Sequence, residues 1–139
     1  MERLIQVSKI SFSALTAYLF GGFDGLMQML CILMSVDYIS GLLLATVFKK
    51  SPKTDSGALK SSVAVKGIVR KVCCLLLIII ITRLGENLGD QNFCRNTAIM
   101  FFSANEGISI LENMGLMGVK YPHWLSKSLE VLLDNSDNT

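Results

Sequence analysis

The chain has 139 residues, 51% hydrophobic and 17% charged, with a formal net charge of +2 and only two prolines, and its mean hydropathy is +0.50. A soluble domain carries about a quarter charged residues and a disordered chain far less apolar material, so neither class fits. Four cysteines, with Cys73 and Cys74 adjacent inside an apolar run, argue against a dense secreted disulfide scaffold. The composition is that of one small, all-α integral membrane domain.

The charge is unevenly placed. Lys49 to Lys71 holds seven basic residues and one acid, Asp55, a net +6, while the remainder of the chain is −4. A nucleic-acid surface would need aromatic or base-reading partners, and no aromatic residue lies between Phe48 and Arg83. Short loops rich in Lys and Arg stay in the cytoplasm. The basic stretch is therefore read as a topological signal, with membrane lipid rather than nucleic acid as its neighbour.

A spanning helix takes about 20 mostly apolar residues, yet the longest charge-free stretch, Ile10–Phe23, has 14. Every span must then carry an ionisable group, which in lipid faces a bundle interior or an aqueous path. The first segment, 4–20, holds Gln6, Ser8, Lys9, Ser11, Ser13 and Thr16 and reads as a short span or an interfacial amphipathic helix. It stops at Gly21-Gly22-Phe23-Asp24-Gly25. No Ala-x-Ala cleavage site follows it, so the segment is expected to be retained.

The second segment, 26–48, has 23 residues and rises about 34 Å as a helix, enough for the hydrocarbon core. Asp37 lies in its middle, and Ser40, Gly41 and Ala45 form a small-residue patch suited to close helix packing. Residues 49–62 form the basic loop, with turn signals at Ser51-Pro52 and Asp55-Ser56-Gly57. A third helix is expected over 63–84. A polar turn, Glu86 to Asn92, leads to a fourth over 93–114. An amphipathic helix over 122–134 closes the chain, with Leu125, Leu129, Leu132 and Leu133 on one face, before a solvated tail.

A cytoplasmic basic loop fixes the remaining directions. The second helix runs inward, the third outward and the fourth inward, which leaves the C-terminus in the cytoplasm. If 4–20 spans, the bundle has four transmembrane helices and a cytoplasmic N-terminus; otherwise it has three, and the N-terminus is outside.

At 100° per residue, Arg95, Asn105, Glu106, Ser109, Glu112 and Asn113 share an arc of about 120° on the fourth helix. In lipid such a stripe must face other helices, as a hydrogen-bonded seam, or water, as the wall of an opening. Counting residues back from the turns places Asp37 level with Arg70 and Lys71, and Glu106 level with Cys73, so these charges are expected in one layer of the bundle. Pairing offsets the cost of burying them singly. Arg70 is the expected partner of Asp37, with Lys71 snorkelling to the headgroups.

Catalytic chemistry is missing. His123 stands alone between Pro122 and Trp124 and reads as an interface anchor. Cys31, Cys73, Cys74 and Cys94 have no metal-ligand spacing. No serine or threonine has a base within reach of the pattern. No enzyme activity, metal or cofactor is expected.

Four motifs occur in order: Asp37-Tyr38-Ile39-Ser40-Gly41; Lys66-Gly67-Ile68-Val69-Arg70-Lys71, opening an apolar helix; Asn105-Glu106-Gly107-Ile108-Ser109-Ile110-Leu111-Glu112-Asn113; and Gly118 followed by Pro122 and Leu125. Together they resemble the phage-lysis and toxin-secretion holins over about residues 23–133. Phe23-Asp24 stands where many relatives show Trp-Asp, and the tail is acidic where many are basic. The resemblance implies a phage- or prophage-encoded protein of the bacterial cytoplasmic membrane. Such a protein forms homo-oligomers whose large lesions release an endolysin or a toxin. The residues alone also allow a small ion channel or transporter using the Asp37–Arg70–Glu106 layer, or a non-conducting scaffold whose basic loop binds anionic lipid.

Overall fold

Helix-forming residues fill long stretches between breakers, and both prolines fall outside the regular elements, Pro52 in a loop and Pro122 just ahead of the last helix. The computed structural model describes residues 1–137, with the backbone alone for 132, 133 and 135–137; the expected apolar positions Leu132 and Leu133 and the end of the tail thus lie outside the described side chains. The described chain is all helical: α1 (Glu2–Phe20), α2 (Gly25–Leu43, continued by a π-helical turn Leu44–Phe48), α3 (Ser61–Leu88), α4 (Gln91–Leu116) and α5 (His123–Asp137). Among the described residues one helix, Gly25–Phe48, is long and apolar enough to cross a membrane, with a mean hydropathy of 2.0.

The turn expected over residues 86–92 is shorter than its polarity suggests. Arg83 pairs with Glu86 one turn on, at 2.6 Å, and Asn87 donates to the Arg83 carbonyl, so α3 continues through Leu88. Gly89 then takes φ 82°, the left-handed conformation that ends helices at low cost in glycine. Asp90 caps α4 by accepting from the Phe93 N–H. Only Gly89 and Asp90 separate the two helices.

α2, α3 and α4 form the bundle, with α2 against α4 the broadest contact and α3 against α4 next. Met27, Leu30 and Met34 of α2, Ile78 of α3, and Ala98 and Ile99 of α4 make its apolar core. α5 turns back along α4 with Tyr121 beside Gly115 and Leu129 against Gly107, where a β-carbon would stand 3.0 Å from the leucine. α1 is attached only near its end. Thr16 is its one buried residue, and it meets the bundle chiefly through α3.

The exterior is apolar. Ile32, Ile39 and Val47 of α2, Val65, Val69, Leu76 and Ile80 of α3, and most large side chains of α1 are exposed, whereas Arg95, Glu106, Asn113, Ser103 and Thr82 are buried. Water-soluble monomers rarely expose continuous apolar surface on this scale. Several hydroxyls are satisfied within their own helices, as Ser35 on Cys31, Thr46 on Leu42 and Thr82 on Ile78 show, which lowers the cost of placing them in an apolar medium.

Candidate functional site

One polar cluster sits where α2, α3 and α4 meet. The Lys71 ammonium donates to Asp37 Oδ2 at 2.8 Å and also to Glu106 Oε2. These side chains are nearly closed off: Lys71 is 17% exposed, Asp37 12% and Glu106 10%. Asn113 completes the cluster, its Nδ2 donating to Asp37 Oδ1 at 3.3 Å and to Ser40 Oγ at 2.9 Å. Two carboxylates thus share one ammonium, and the ionised group carries a net −1. Direct charge-assisted hydrogen bonds offset the desolvation that burial imposes on each member.

Arg70, expected to pair with Asp37, is exposed instead, and Lys71 takes the contact. The reason is helix phase. Gly67, Lys71, Cys74, Ile78, Thr82 and Gly85 form the inward line of α3, all buried or half-buried, and Gly67 lies against the Tyr38 ring. Arg70 is about 100° off that line. The long Lys71 stem does not snorkel, because both carboxylates are within reach of its inward path.

A second cluster lies at the far end of the bundle. Arg95, 2% exposed, donates Nη1 to Asp24 Oδ2 at 2.9 Å and Nη2 to Asp24 Oδ1 at 3.0 Å, a two-pronged pair. It also donates to the carbonyls of Phe20 and Gly22 and to Asn96 Oδ1. Asp24 meanwhile caps α2 through the Met27 N–H at 3.0 Å. The Arg95 hydrogen bonds hold the Asp24 carboxyl below its ordinary range. Arg95, expected along an opening, instead fastens the α1–α2 turn onto α4. The one signal in the sequence was positional: Asp24 and Arg95 stand near the starts of α2 and α4, two parallel helices that begin at one level.

The polar arc of α4 is consequently divided. Arg95, Glu106 and Asn113 lie within about 20° of one another and are buried. Asn105 and Glu112, on the other side of the arc, are exposed, and Ser109, between that side and the buried one, is half-buried. Glu112 has no ion pair among the described residues. On α2, Ser40 and Ala45 are buried, and a β-carbon at Gly41 would touch Asn113, so the small-residue patch faces α4.

Comparison with known proteins adds an independent observation. The chain is 38% identical over 134 residues to an uncharacterized protein of Listeria innocua, covering 96% of this chain and 89% of that one. It is 30% identical over 137 residues to an uncharacterized protein of Halalkalibacterium halodurans, covering 95% and 96%. It is 33% identical over 121 residues to the probable holin of Bacillus phage phi105, covering 87% of this chain and 83% of the phage protein. No solved structure matches it significantly. Residues 14–134 match the bacteriophage holin family, and the chain belongs to that family.

Proposed function

We propose that this protein is a working holin. It accumulates in the bacterial cytoplasmic membrane, assembles with copies of itself, and opens lesions wide enough to release an endolysin or an exported toxin. α2, α3 and α4 cross the membrane as a bundle, and the 49–62 loop and C-terminus face the cytoplasm in line with the basic charge of the loop. Family membership and the related probable holin of phage phi105 support the role.

The observation that carries this reading is the inverted distribution of polarity, with ion pairs inside and apolar side chains outside. Such an exterior suits lipid, and the exposed edge of α4 at Asn105 and Glu112, with half-buried Ser109 beside it, is the part that lipid suits least. Assembly turns that edge toward water and makes it the wall of the lesion. Each copy contributes only a few helices to a wide path, so the opening needs many copies.

The test is induced expression in bacteria, with and without a co-expressed endolysin that lacks a signal peptide. The expected result is an abrupt stop in respiration after a lag, with lysis only when the endolysin is present. Gradual growth inhibition, with the endolysin retained in the cytoplasm, would contradict the role.

A further inference from the structure

The loop that follows α2 is a built structure. The Ser51 N–H donates to the Gly57 carbonyl at 3.0 Å, the Gly57 N–H to the Thr54 carbonyl at 3.1 Å, and the Thr54 hydroxyl to the Ala58 carbonyl at 2.9 Å. Gly57 takes φ 69°, and a β-carbon there would collide with the Lys49 carbonyl. Glycine alone fits this corner. The loop roofs a cleft of about 140 Å³ between α2, α3 and α4.

Two kinds of surface meet in the cleft. Its rim carries Lys53 and Lys60 from the loop and Arg70 from α3, and its apolar wall includes Leu44, Ala45 and Val63. Lys71, Asp37 and Glu106 also border it, but they are occupied with one another. Lys53, Lys60 and Arg70 have no ion pair among the described residues. With the net −1 of the buried cluster, the cleft holds a net +2. Arg70, exposed and off the packed line of α3, thereby has a use that packing does not give it.

We propose that this cleft is a binding site for the phosphodiester headgroup of an anionic phospholipid from the cytoplasmic leaflet. The phosphate lies among Lys53, Lys60 and Arg70, and the first part of the acyl chains lies along the apolar wall. The placement rests on the membrane orientation proposed above, which puts the loop at headgroup level. Basic pockets between helices on the cytoplasmic side suit such headgroups, and a frame already ordered by its own hydrogen bonds loses little freedom on binding. A bound lipid would couple the loop to α3 and α4 in each copy.

The experiment uses the full-length protein, purified from membranes and equilibrated with mixed phosphatidylglycerol and phosphatidylcholine, with retained lipid counted by native mass spectrometry. The wild type should retain phosphatidylglycerol preferentially. Lys53→Gln/Lys60→Gln/Arg70→Gln should lower that preference at least about tenfold. Lys49→Gln/Lys50→Gln/Lys66→Gln removes the same charge outside the cleft and should keep the preference. Gly57→Ala keeps every charge, spoils the frame, and should weaken retention. Circular dichroism should be the same for both triple variants. Equal losses in the two triple variants would overturn the site in favour of diffuse attraction to the loop. Equally strong competition by free glycerol phosphate would overturn the lipid as its occupant. Lipid retention is read without lysis, so its failure and the failure of the lytic role are distinguishable.

Discussion

Lys71 stands between Asp37 and Glu106, so removing the cation and removing one anion have different consequences. Lys71→Met leaves two carboxylates facing each other without a counter-charge, a change that costs about 3–5 kcal/mol in buried sites. Asp37→Asn or Glu106→Gln leaves a neutral pair and should be much milder. Arg70→Gln, at an exposed position, should stay within about 0.5 kcal/mol. Combining Lys71→Met with Asp37→Asn and Glu106→Gln should recover most of the loss, because no uncompensated charge then remains. Thermal unfolding in detergent, with the amount of protein accumulated in membranes, checks this order. Equal sensitivity at Arg70 and Lys71 would refute the pairing. At this scale the sequence was half legible. Depth counting placed the charges in one layer, but choosing between adjacent residues needed the inward line from Gly67 to Gly85, which the uniformly apolar stretch around Cys73 to Ile81 conceals.

At the scale of elements, apolar runs bounded by glycine, proline and charge were enough to locate the helices, because in this chain length and hydropathy dominate local propensity. The α3–α4 turn was harder to read. Polarity over Glu86 to Asn92 resembles a loop, yet Arg83, Glu86 and Asn87 bond within α3 and prolong it. Asp24 was similarly hidden, since in a glycine cluster it reads as a breaker rather than as the partner of Arg95. The polar face of α4 was legible as an arc, but not its division into a buried seam and an exposed edge, which depends on the angle at which α2 and α3 pack. That division carries a prediction. In a chain without its native cysteines, Asn105→Cys and Glu112→Cys should react with a hydrophilic maleimide only after the membrane opens, while Asn113→Cys stays protected throughout. Protection of both exposed positions in an open membrane would assign the lesion wall to another helix.

For the whole molecule, the central question is what the membrane lets through. The bundle buries ion pairs that hold three helices together, fastens its first turn through Arg95, and presents an apolar exterior with one polar edge. On the proposed function, a single copy with these features inserts as a closed unit, and a path wide enough for protein takes a ring or raft of them. A defined ion path would instead run within one copy, past the buried cluster. The two arrangements differ in the size of solute that escapes. The direct measurement is release from vesicles that enclose both a small dye and a folded enzyme, as purified protein is added in increasing amounts. Dye and enzyme should escape together once the protein-to-lipid ratio passes a threshold. Release of the dye with retention of the enzyme at every ratio would contradict the account.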